Sequence, residues 1–203
     1  MSAAALHAAP DTAPLRTAVI TASTRDGRFG PTVTQWFTRL AAGRDDLETE
    51  LVDLAEHPVP NTLSWSPPAE DQQLLAPLTA KLEAADAFVI VTPEYNHSFP
   101  ASLKQAVDWH YTQWQAKPVG FVSYGGIGGG LRAVEQLRLV FAELHAVTVR
   151  DSVSLHRAHE AFDGDGELRE SAVAEGAAKG MLDQLAWWGR ALRAARAEHP
   201  YGR

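Results

Sequence analysis

Three short segments of this 203-residue chain gather residue types that bind anions and flat polar rings. The first is Ser23-Thr24-Arg25-Asp26-Gly27-Arg28-Phe29-Gly30. Its hydroxyls can donate hydrogen bonds, its guanidiniums can neutralise a phosphate, and its glycines let backbone come close. If the segment opens a helix, unpaired N–H groups and the positive dipole end add to the attraction for an anion. The second, Thr92–Pro100 (TPEYNHSFP), sets an aromatic, a carboxylate, an amide and an imidazole between prolines that restrict the backbone. The third, Ser123–Gly130 (SYGGIGGG), offers backbone N–H groups uncovered by side chains, suited to a flat ring bearing carbonyls.

The same residues exclude several chemistries. The first segment lacks the Gly-Lys-Ser/Thr ending of a Walker loop, and the run opening at Gly126 and Gly128 has Leu131 where a dinucleotide fingerprint closes on glycine. The chain has no cysteine, which removes disulfides, thiolate nucleophiles and thiolate metal sites and accords with a reducing compartment. No metal site is expected. A formal charge of −7 argues against a general nucleic-acid binder, so any anion site must be local. His97 is read as a hydrogen-bonding or surface residue rather than a general base, and Asn96 or Ser98 as a candidate cap for the helix that follows. Lys104 and Asp108, four apart, read as a surface pair. No window reaches the run of about 18 apolar residues a membrane span needs, and the start lacks a secretory pattern, so a cytoplasmic location is expected.

The elements that must position these segments alternate. Leu15–Ala22 is a short apolar run with β-branched residues, and Thr32–Ala42 has helical spacing. Leu47–Leu54 alternates apolar with polar, as a strand near a sheet edge would. Residues 57–69 are proline-rich and read as an irregular surface loop. Glu70–Ala84 predicts a helix, and Asp86–Thr92 (DAFVIVT) a strand buried on both faces. A helix from Pro100 to Trp109, a strand at Val119–Tyr124, a helix at Leu131–His145, a strand at Ala146–Leu155 and a long helix at Ser171–Ala197 complete the chain. AFDGDGEL, before the last helix, reads as a turn or hairpin tip. Trp187 and Trp188 read as core or subunit-interface residues.

Such alternation predicts an α/β fold: a five-stranded parallel sheet in the flavodoxin-like order 2-1-3-4-5, with helices on both faces. Residues 1–14 are expected to be a flexible arm and 15–203 a single domain. Ligands bind such sheets beyond the C-terminal strand ends, where the winding reverses, so the loops after strands one, three and four should meet at one edge.

Taken together, these residues resemble the NADPH-dependent FMN reductase family, a flavodoxin-like group of flavin, quinone and azo reductases. The most specific piece is PEYNHSFPASLKQAVDW at residues 93–109, followed by Ser23 to Arg25 and the run Ser123–Arg138. Ala22 and Ala101 stand where the family usually has glycine. The resemblance implies that Ser23, Arg25 and Arg28 hold the FMN phosphate. It implies that Pro93, Glu94, Tyr95 and Asn96 line the flavin ring, and that Ser123, Gly125 and Gly126 approach its pyrimidine side through backbone groups. It further implies NADPH or NADH as the hydride donor, a small acceptor in a ping-pong cycle, no catalytic side chain beyond the cofactor, and a homodimer or homotetramer. The residues by themselves stop at a phosphate-bearing ligand. They leave open a non-turnover FMN-binding electron carrier, or a sugar-phosphate or nucleotide module using the first loop alone.

Overall fold

The computed structural model describes residues 13–202. In chain order the elements are β1 (Leu15–Thr21), α1 (Gly30–Ala42), β2 (Leu47–Asp53), α2 (Ala69–Ala84), β3 (Ala87–Pro93), α3 (Ala101–Trp109), a 3-10 turn at Thr112–Trp114, β4 (Pro118–Tyr124), α4 (Leu131–Glu143), β5 (Val147–Thr148), β6 (Val153–Leu155), α5 (Ala158–Ala161) and α6 (Ser171–Glu198). All strand pairs are parallel, in the order β2-β1-β3-β4-β5, with β6 also on β4. This is the expected flavodoxin-like order.

Every residue of β3 and β4 is buried, which is why both read as continuous apolar runs. Their alternate side chains feed two cores. Val89, Val91 and Val122 pack with Phe37 of α1 and Leu185 of α6; Phe88, Ile90 and Phe121 pack with Leu82 of α2, Leu103 of α3 and Phe141 of α4. At the edge, β2 leaves Leu51 half exposed, as its polar alternation implied.

The strand expected at Ala146–Leu155 is broken in two. Val149 still donates to Val119 O, but the Arg138 guanidinium then takes the carbonyls of Val149 and Arg150 at 2.6 and 2.8 Å, and Asp151 N–H donates to Gln184. Side chains from α4 and α6 thus satisfy backbone groups that a fifth strand would have offered to the sheet. The strand resumes at Val153 beside Val122.

The remaining features are local. Trp187 and Trp188 meet edge to face on the outer side of α6 and are not part of the core. AFDGDGEL forms a small hairpin tip closed by a Phe162–Leu168 bridge, and α5 precedes it. Most of the expected N-terminal arm lies outside the described residues; at its end the carbonyls of Ala13 and Pro14 accept from Arg193 of α6. No helix among the described residues is long and apolar enough to cross a membrane.

Candidate active site

The parallel register aligns the ends of β1, β3, β4 and β6, with Thr21 beside Val91, Pro93 beside Tyr124 and Tyr124 beside Leu155. The three segments singled out above therefore leave the sheet at one edge. They surround a cavity of about 360 Å³, walled by residues 25–29, 93–95 and 124–126 and by Ala158 and His159. That volume lies in the range of small-molecule sites.

In the first loop, Ala22 N–H still pairs with Val91 O, so the chain departs at Ser23. Ser23 is buried, its hydroxyl 2.6 Å from the phenol of Tyr95, which lines the cavity. Arg28 faces the cavity wall, but its guanidinium is held as a fork by Asp53 at the end of β2, at 2.5 and 2.7 Å, and also donates to Ser23 O. Hydrogen bonding to Asp53 raises the Arg28 pKa despite burial. Burial pushes the Asp53 carboxyl up, but bonds from Arg28 and from Ala55 N–H outweigh it and hold it below the usual carboxylate range. In this arrangement Arg28 braces the loop. Arg25 is different: it is exposed, it lines the cavity, and its guanidinium has no partner among the described residues. The loop ends at α1, whose first turn has no side-chain cap and contains Pro31. Its orphan N–H groups thus stay available to an anion.

The second loop is a two-residue reversal. Tyr95 and Ser98 exchange backbone hydrogen bonds at 2.8 and 3.0 Å, and Asn96 and His97 carry φ of 49° and 73° at the tip. Two successive left-handed residues are the signature of a type I′ turn, which asparagine tolerates better than most. Neither Asn96 nor Ser98 caps α3: the Ser98 hydroxyl goes to Gln136 of α4, which also takes His97 O. Asn96 is exposed and, with Arg25, Glu94 and Tyr95, lines a shallow basin on the outer side of the loop. Glu94 is nearly buried and pairs with Arg132 at 2.6 Å, joining this loop to the start of α4 rather than facing the cavity freely.

The third loop is tied down from below. Ser123 Oγ is buried and donates to Gly129 O at 2.9 Å. Gly130 has φ of 85°, and a Cβ there would lie 2.5 Å from that of Ser123, so glycine is required twice over. Gly125 N–H is taken by Leu155 O at 3.2 Å. Of the three predicted ring contacts in this loop, only the Gly126 N–H lacks an acceptor among the described residues. Ser123 and Gly125 shape the loop that presents it.

Two wall residues carried no readable signal. Tyr124 is buried under Gly30, its hydroxyl near Ser23 but without a well-formed hydrogen bond among the described residues, and burial pushes that phenol far above its ordinary pKa, so it stays protonated. His159 lies with its ring 4.5 Å from that of Phe29 at the cavity mouth. Asp53 and Arg132 were also missed, though a carboxylate at the C-terminal end of a strand beside an arginine-bearing loop was visible in the sequence. Lys104 and Asp108 form the expected surface pair at 2.7 Å.

The donor set suits FMN. A free guanidinium with an uncapped helix start fits a phosphate, and a stiff backbone edge with one open N–H fits the polar rim of a ring.

The family model for NADPH-dependent FMN reductases matches residues 15–160. Among curated relatives, an NAD(P)H-dependent FMN reductase of Schizosaccharomyces pombe is 37% identical over 55% of this chain and 58% of its own, so the match spans little more than half of that relative. An NAD(P)H-dependent FMN reductase of Pseudomonas aeruginosa is 31% identical over 72% of this chain and 81% of its own. Among solved structures, the flavoenzyme NAD(P)H:(acceptor) oxidoreductase FerB of Paracoccus denitrificans superposes with a TM-score of 0.66 at 25% identity, covering 87% of this chain and 98% of its own. The matched segment takes in all three loops and the sheet edge from which they rise, and the chain belongs to the NADPH-dependent FMN reductase family.

Proposed function

We propose that this chain is an oxidoreductase that holds FMN across the three loops and draws on NADPH or NADH to reduce a small acceptor such as a free flavin, a quinone or an azo compound. FMN, when bound, would supply two-electron hydride chemistry, which nicotinamide and acceptor would use in turn in a ping-pong cycle. Arg25 and the uncapped start of α1 hold the phosphate. Pro93, Tyr95 and Asn96 would line the ring, and Gly126 N–H would be available to its polar rim, where a donor stabilises negative charge. Ser23 acts through Tyr95, whose phenol it anchors. Glu94 with Arg132, Arg28 with Asp53, and Ser123 with Gly129 fix the loops that carry those contacts. No side chain is assigned as acid or base. We also read the protein as a cytoplasmic homodimer or homotetramer.

One observation carries this reading: the three loops covered by the family match converge on one cavity, around which Arg25 and Gly126 N–H, both without a partner among the described residues, lie on separate loops. The test is NADPH consumption by purified protein with FMN and a quinone. Sustained, quinone-dependent oxidation supports the assignment. Tight FMN binding with no oxidation of either nicotinamide would instead mark a flavin carrier.

A further inference from the structure

A second cavity, of about 670 Å³, opens at the same sheet edge on the far side of the turn that carries α5. The turn is a shared wall. Ala158 and His159 face the flavin cavity, whereas His156, Arg157 and Glu160 face the larger one. Its floor is β6 with Ser154; Leu168, Ala174 and Ala177 form an apolar side.

The turn is fastened to the glycine loop: Arg157 N–H donates to Gly126 O at 2.9 Å and Ala158 N–H to Gly125 O at 3.1 Å. This fastening holds Arg157 in the left-handed region, φ 47°, a conformation that is uncommon for a long side chain and costs energy. Among the described residues the Arg157 guanidinium pairs with Glu160 alone, at 3.9 Å. The Arg169 side chain has no hydrogen bond or ion pair among the described residues. The neighbouring arginines are committed elsewhere, Arg28 to Asp53, Arg132 to Glu94 and Arg138 to the carbonyls of Val149 and Arg150. With Arg25 assigned to the flavin phosphate, Arg157, whose exposed pair with Glu160 is long, and Arg169 are the arginines of this cavity available to a second anion.

A nicotinamide lying against the ring beside Gly126 must place the rest of its dinucleotide nearby. The larger cavity begins at the residue bonded to Gly126, has an apolar side suited to a purine, and carries two guanidiniums held only weakly, Arg157 by Glu160 at 3.9 Å and Arg169 by the charge of Asp163. Glu160 and Glu170 also line it, so an anion gains there only where both arginines reach it. We propose that this cavity receives the adenosine end of the donor, with Arg157 and Arg169 flanking the ribose 2′-phosphate that distinguishes NADPH from NADH. The assignment rests on the reductase reading for the position of the nicotinamide.

The test uses the full chain and the double variant R157G/R169A. Glycine accepts the left-handed backbone, so the turn is kept while the charge is removed. Calorimetric titration with adenosine 2′-monophosphate and adenosine 5′-monophosphate should show about ten-fold tighter binding of the 2′-isomer by the parent chain and no preference in the variant. Anaerobic flavin reduction should show the NADPH-to-NADH ratio of second-order constants falling about ten-fold in the variant, where a merely structural defect lowers both constants together. Equal binding of the two isomers by the parent, or a preference retained by the variant, overturns the proposal. Absence of reduction by either coenzyme would sink the reductase reading, and the nucleotide titration would still decide the cavity.

Discussion

Replacing Arg25 with alanine separates the two arginines of the first loop by what each is bound to. Arg25 has no partner among the described residues and is exposed, so its loss leaves the folded chain nearly untouched. Its contact with a phosphate is a charge-assisted hydrogen bond, worth about 1.5–3 kcal/mol, and exposure to water brings it to the low end. At about 1.4 kcal/mol per decade, FMN should bind about ten-fold more weakly to R25A, while riboflavin, which lacks the phosphate, changes by less than about two-fold. Added salt should weaken FMN binding by the parent and narrow the gap. Arg28→Ala is the control. It strands the nearly buried Asp53 carboxylate, so it should cost about 2–4 kcal/mol of stability and weaken both flavins alike. Fluorescence titration with FMN and riboflavin, alongside thermal melting, reads both variants. If R25A weakened the two flavins equally, Arg25 would not be a phosphate ligand.

Three further outcomes follow from buried groups. Tyr124→Phe removes a buried hydroxyl without a well-formed hydrogen bond among the described residues and should raise the melting temperature of the flavin-free chain by about 2–4 °C, as about 1 kcal/mol implies at this size; a lower value would reveal a hydrogen bond to that hydroxyl. Gly130→Ala must place a Cβ against Ser123 in a left-handed backbone, so calorimetric melting should fall by about 5 °C or more, and an unchanged value would mean the loop relaxes freely. Burial lowers the Lys117 pKa to about 8 from 10.5. The unfolded chain therefore holds this proton more tightly than the folded one. Stability should rise as pH climbs from about 8 to 10.5, by up to about 3 kcal/mol, and stay at its lower value below pH 8. Urea unfolding of the parent and of Lys117→Met across that range should diverge by this slope; parallel curves would count against it.

Much of the architecture was legible because it follows from short-range pattern. The nearly all-apolar runs at Asp86–Thr92 and Val119–Tyr124 read as buried central strands, with the glycine- and proline-bounded loops at their ends. The fifth strand misread because Arg138 and Gln184, distant in sequence, satisfy its backbone. Within the site, residue type announced affinity for anions but not commitment. Arg25 and Arg28 look alike in sequence, and only the position of Asp53 distinguishes them. Ser23, Ser123 and Glu94 were legible as polar residues of the right loops, but tertiary pairing turns them toward Tyr95, Gly129 and Arg132. His159 and Arg157 come from a segment with no periodicity, brought to the edge by two hydrogen bonds to the glycine loop.

The most direct test of the account is anaerobic mixing of the FMN-loaded chain with NADPH while the visible flavin absorbance is followed. Rapid bleaching is expected, then full recovery of colour when a quinone is added. A chain that binds FMN but keeps its colour with NADPH and NADH alike would contradict it.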